Sequence, residues 1–181
     1  MGVDYILSFD IGTKNLAYCL LGPQEKILDW GVRDIDASSN LVQTKRLYVE
    51  LNRIDLKDYT VDVVIEKQPS FNPKMRVISD QVYFYYVSKM MEIESLFKIR
   101  HITYYSPRKK LSSFKLMENE EVGSKKYKSK YAQRKYLAKE YCRILLERTR
   151  QELWSQHFKE KPSADLADSY LQAVAYMKEK K

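Results

Sequence analysis

The sequence predicts an α/β fold: a five-stranded mixed sheet, three antiparallel strands followed by two parallel ones, flanked by helices. Three strand-like runs fill residues 5–35 with only short turns between them, the pattern of an antiparallel meander. Beyond residue 38, helix-spaced apolar patterns alternate with two short apolar runs, as expected of crossovers that return strands parallel to one another. The chain has no internal repeat. With 181 residues, 44% of them hydrophobic, it can bury one good core but not two, which predicts a single domain over 1–181.

Residues 5–12 are apolar apart from Ser8 and one carboxylate, Asp10, and read as a buried central strand. A second strand covers 15–21. Gly22 and Pro23 mark a tight connection to a third at 26–35. Over 38–54 the positions Leu41, Val42, Leu47, Val49, Leu51 and Ile54 fit a helix capped by Ser38 or Ser39, and 61–66 is the fourth strand. Pro69 and Pro73 open a segment, 74–98, whose apolar residues recur at helical spacing and nearly encircle it, which predicts the central buried helix. A fifth strand at 101–105 ends at Ser106 and Pro107. A polar stretch then runs to 129, with 111–123 expected to be a mobile loop around Glu118, Glu120 and Glu121. A helix over 131–149, a loop through Pro162 and a last helix over 164–178 complete the order.

Composition removes several function classes. The two cysteines, Cys19 and Cys142, are far apart in apolar stretches, and with only two histidines neither a zinc site nor a disulfide framework is expected. No apolar segment approaches the roughly 20 residues that cross a bilayer. The chain is therefore expected to be unsecreted, to work in a reducing compartment and to need no small-molecule cofactor. Lys and Arg outnumber Asp and Glu by 32 to 24, a net charge of +8, which favours a polyanionic partner where the excess is clustered. It is clustered between 125 and 135. Lys125, Lys126, Lys128, Lys130, Arg134 and Lys135 lie there with Tyr127 and Tyr131 and no acid, a composition that neutralises phosphates. Lys14, Lys67, Lys74 and Arg76 flank the acids described next and extend the track. Taken alone, such a run fits a solvated lysine-rich loop or an import signal better.

Asp10 lies in the most apolar strand, where an unpaired carboxylate costs several kcal/mol and so calls for a cation or a donor. Glu66 repeats the situation after Val63, Val64 and Ile65. If the first and fourth strands are parallel neighbours, both acids meet at the carboxyl ends of the sheet, where α/β proteins keep their sites. Asp165 and Asp168, at i and i+3, share one face of the last helix. By themselves these two fit better as helix caps, and Glu66 by itself is equally an ordinary surface acid. Together, Asp10, Glu66, Asp165 and Asp168 form an all-oxygen donor set suited to Mg²⁺, with Mn²⁺ able to substitute. Two such ions about 3.5–4 Å apart activate a water and stabilise the leaving oxygen in phosphodiester hydrolysis.

In sequence, Asp10, Gly12 and Asn15 resemble the D-x-G-x-x-N opening of RuvC-type Holliday junction resolvases of the RNase H-like superfamily. Glu66 and Gln68 resemble their acid-plus-Gln motif, and Asp165 with Asp168 resembles their closing D-x-x-D. The chain as a whole is similar to the poxvirus resolvases in particular. The resemblance implies an RNase H-like fold and a homodimer in the host cytoplasm that nicks opposing strands of a four-way junction, leaving 5′-phosphate and 3′-hydroxyl ends. It gives the four acids metal-binding roles, and a basic residue near the scissile phosphate to Lys109 or Lys110 after the fifth strand, or to Lys130. Gly12 allows close backbone approach beside Asp10 or simply makes a turn. The helix around 81–97, with Tyr83, Tyr86 and Met90, has apolar residues on enough sides either to face a partner subunit or to be wholly buried within one subunit. The alternatives weighed are an RNase H-type nuclease acting on RNA–DNA hybrids, which needs no dimer, and a non-catalytic DNA-binding protein. An ATPase of the actin type, whose nucleotide site also opens D-x-G-T, would need a second glycine-rich subdomain, and five glycines leave no room for one.

Overall fold

Strand β1 (Tyr5–Ile11) occupies the middle of the sheet and sorts its side chains by alternation. Leu7, Phe9 and Ile11 enter one apolar layer, Ile6 enters the other, and Asp10 shares the second face. The computed structural model describes residues 5–56, 59–92, 98–114 and 129–180. β2 (Asn15–Leu21) and β3 (Ile27–Asp34) extend the sheet antiparallel on one side of β1, while β4 (Thr60–Glu66) and β5 (Lys98–Tyr105) extend it parallel on the other, in the order β3-β2-β1-β4-β5. This is the mixed sheet the sequence predicts. The turn between β1 and β2 is closed by the Gly12 amide donating to the Asn15 carbonyl at 2.9 Å. A Cβ at Gly12 would meet that oxygen at 2.7 Å, so the turn itself requires glycine.

Two helices cover the Phe9 face. α1 (Asn40–Asn52) is capped by Ser39, whose side chain accepts from the Val42 amide, and α2 (Pro73–Met91) is capped by Asn72 with Pro73 in its first turn. The opposite face is covered by α6 (Ala164–Lys180), with α4 (Lys130–Arg148) packed on α6 and α5 (Glu152–Glu160) bridging α4 and β3. Trp30 on β3 ties this layer down. Its indole donates to the Leu166 carbonyl at 2.9 Å and stacks on Phe158 at 5.6 Å.

The structure corrects four expectations. The central buried helix is α6, apolar on nearly every side, and not α2. α2 buries only Ile78, Ser79, Val82, Tyr85 and Tyr86, and leaves Val77, Phe84, Met90 and Met91 more than half exposed. Its expected extension through 93–97 lies outside the described residues. Two helices replace predicted loop: α3 (Pro107–Ser112), too short and lysine-rich to show a periodicity, and α5, whose Trp154 and Phe158 at i and i+4 were a usable signal. The expected mobile loop at 111–123 begins instead as the end of α3, followed by Phe114, which is buried against Tyr141. Its remainder lies outside the described residues. Finally, Tyr86 is not available to a partner subunit: it is fully buried beside Phe9.

Candidate active site

The parallel pairing of β1 with β4 sets Phe9 opposite Ile65, so the next residues, Asp10 and Glu66, stand level at the carboxyl ends of adjacent strands. Both lie toward α6. Their carboxyls are close enough for each to shift the other. Burial, and next the charge of Glu66, push the Asp10 carboxyl well above the ordinary carboxylate range. Burial alone would also raise Glu66. The Lys110 ammonium and hydrogen bonds from Asp10, Lys110 and Gln68 outweigh it, and the Glu66 carboxyl falls below its usual value. Gln68 reaches back through its side-chain amide to the Glu66 carbonyl at 3.0 Å and to Oε2 at 3.5 Å.

The third acid arrives from above. α6 presents Asp168, and between it and Glu66 sits Lys110, carried in by α3 immediately after β5. Lys110 Nζ lies 3.0 Å from Glu66 Oε1 and 2.8 Å from Asp168 Oδ1, and only 4% of the side chain is exposed. Burial opposes its charge, but Asp168, Glu66 and Asp10 together raise it, so the ammonium is held charged. Asp168 is raised by burial, against the pull of Lys110. Asp165, one turn earlier on α6, turns away to Lys135 at 3.6 Å.

Among the four predicted acids, the structure therefore brings together Asp10, Glu66 and Asp168 around one buried lysine, and sets Asp165 at the margin. Among the described residues no three acids or other ligating side chains stand close enough to hold an ion as they are. The donor chemistry nevertheless fits a hard cation: every donor is a carboxylate oxygen, and Glu66 and Asp168 already grip one cation, the Lys110 ammonium. Of the three candidate lysines, Lys110 is at the acids. Lys109 points to Glu179 at 3.2 Å, and Lys130 is exposed at the start of α4 with no ion pair to the four acids. Lys14 pairs with Asp36 at 3.0 Å, Arg134 is exposed on α4, and Lys135 lies over the Tyr131 ring at 5.1 Å. Lys125, Lys126, Tyr127 and Lys128 lie outside the described residues. One residue that sequence reasoning missed is Gln172, fully buried on α6 one turn beyond Asp168 and bonded to both central strands.

A family model described as poxvirus A22 protein matches residues 4–131, more than half of the chain, including Asp10, Glu66 and Lys110. The chain belongs to this family of poxvirus resolvases. Two solved structures share its fold. The yeast mitochondrial Holliday junction resolvase Ydc2 superposes with a TM-score of 0.61 at 19% identity, covering 97% of this chain and 80% of that one. Fowlpox virus resolvase, solved in complex with substrate Holliday junction DNA, superposes with a TM-score of 0.59 at 17% identity, covering 97% of both chains. No curated protein sequence is significantly similar. The resemblance to the poxvirus resolvases and the five-stranded mixed sheet are both borne out.

Proposed function

We propose that the chain, as a single domain over 1–181, is a structure-selective endodeoxyribonuclease that resolves four-way and other branched DNA junctions. The carrying observation is the meeting of Asp10, Glu66 and Asp168 around the buried Lys110 ammonium, in a chain of this family. Asp10, Glu66 and Asp168, joined by Asp165, would hold Mg²⁺ or Mn²⁺. Bound there, such ions make a hydroxide available near neutral pH and offset the charge that builds at phosphorus. For the acids to take an ion, Lys110 would have to release Glu66 or Asp168, and Asp165 would have to leave Lys135. A released Lys110 is left beside the reacting phosphate as a positive charge, which supports the role expected for a basic residue there.

The partner is branched DNA. Lys14, Lys109, Arg134 and Lys135, with Lys125, Lys126 and Lys128, would contact phosphates, and the protein would act as a homodimer in the host cytoplasm. Support for the dimer comes from α2. Val77, Phe84 and Met91 repeat at seven-residue intervals along its outer surface, a stripe suited to pairing with a second copy of the same helix. The test is cleavage of a labelled four-way junction beside linear duplex and RNA–DNA hybrid, with Mg²⁺ and with chelator. Paired, ligatable nicks on the junction alone, and only with metal, are expected. Cutting of the hybrid alone would make the protein an RNase H-type nuclease, and no cutting at all a binding protein.

A further inference from the structure

α6 has to deliver Asp168 to Asp10 and Glu66, yet its packing does not set its angle. The helix is apolar on nearly all sides, and apolar contacts have no direction. On the line that faces the sheet, however, a polar residue follows Asp168 at each turn. Tyr176 donates to Asp62 Oδ2 at 3.2 Å, low on β4. Gln172 lies between this contact and the acids, and its amide nitrogen reaches three acceptors: Ser8 Oγ at 3.0 Å, the Phe9 carbonyl at 3.1 Å and the Val64 carbonyl at 3.3 Å. Carbonyl oxygens only accept, which fixes the amide nitrogen toward the strands.

These acceptors are placed where the site begins. Phe9 directly precedes Asp10, and Val64 stands two residues before Glu66, on the adjacent parallel strand. The placement is bought at a cost to the fold, because Gln172 is 1% exposed and its Oε1 has no hydrogen-bond partner among the described residues. A core chosen for stability alone would put an aliphatic side chain here. Breaches of this kind gather where function needs them.

We propose that Gln172 is the positioning residue of the carboxylate site: by holding the Phe9 and Val64 carbonyls to α6, it fixes where the helix that carries Asp168 stands over Asp10 and Glu66, the acids that would take the metal ion. The proposal rests on the nuclease function given above. Gln172 touches neither ion nor DNA. It acts through the backbone of β1 and β4, as the outer partners of metal ligands do elsewhere.

The test uses the full chain with Gln172→Met, which keeps the volume, and Gln172→Asn, which keeps an amide but is too short to reach both strands. Mn²⁺ affinity is read without DNA by electron paramagnetic resonance, the Mg²⁺ half-saturation point is read from junction cleavage, and junction binding is read in chelator. Both variants should melt within about 5 °C of wild type and bind junction as it does, while Mn²⁺ affinity falls and the Mg²⁺ half-saturation point rises, each about tenfold or more. A structural role alone would lower the melting temperature and leave both metal readouts unchanged in the folded fraction, which overturns the proposal. Wild-type metal affinity in Gln172→Asn would overturn it too. Should wild type itself neither bind Mn²⁺ nor cut, the nuclease function fails along with it; wild type that does both beside an indistinguishable Gln172→Met sinks the positioning role alone.

Discussion

At the residue scale, the site is a set of acids short of positive charge. Asp10 shows the consequence most directly, since burial and Glu66 raise its carboxyl well above the ordinary range. An acid whose pKa is raised by folding stabilises the fold fully below its unfolded value of about 3.9, and that contribution is lost as pH rises through the raised value. Asp10→Asn removes the penalty. It should raise the melting temperature of the metal-free protein at pH 7 by roughly 2–4 °C, preserve junction binding and abolish cutting; a calorimetric scan beside a cleavage assay checks both halves. The same linkage makes metal binding release a proton, so Mg²⁺ affinity should climb as pH rises through the Asp10 value, and calorimetric titration in buffers of different ionisation enthalpy would detect the proton. Lys110 carries the opposite sign. Replacing it by Met leaves Glu66 and Asp168 without their cation, a loss of about 3–5 kcal/mol for a broken buried pair, and added Mg²⁺ should recover part of that in a thermal scan.

At the scale of elements, α6 takes the central buried place that the sequence predicts for α2. Both carry apolar residues on several sides. Periodicity reports how much of a helix is apolar and not what lies against it. α6 meets the sheet, α4 and Trp30, so all its sides are covered, whereas α2 meets the sheet on one side and leaves the Val77, Phe84 and Met91 stripe outside. Phe84→Glu places a charge in the middle of that stripe without touching the buried Tyr85 and Tyr86. It should shift the protein from dimer to monomer in sedimentation and uncouple the paired nicks, with the melting curve of the monomer little changed. A variant that stays dimeric would show that another surface makes the contact. α3 illustrates a different limit: six residues rich in lysine give no pattern, yet this helix carries the cation that Glu66 and Asp168 share.

At the scale of the molecule, the two functions separate by place. The acids and Lys110 gather at the carboxyl ends of β1 and β4, and the exposed cations of α4 begin at its N-terminal end, joined to the acids by the Lys135 to Asp165 pair. Junction affinity should therefore fall steeply with salt while the metal requirement does not. For Arg134→Ala, a contact to phosphate predicts uniformly weaker binding and a salt slope lower by about one. An unchanged slope in a binding titration from low to physiological salt would remove Arg134 from the DNA surface.

What the sequence determined by itself is what short-range pattern encodes. Asp10 in its apolar run, Glu66 closing another and the paired aspartates of the last helix were legible, as were all five strands, because alternation and buried charge are local properties of a few residues. Tertiary structure alone decided which of the candidate lysines meets the acids, that Asp165 stands apart from the other three, that α6 and not α2 is enclosed, and that Gln172 binds both central strands. Each of these depends on the angle and register at which distant elements dock. That information lies in contacts between residues up to 164 positions apart, and no window along the chain contains it.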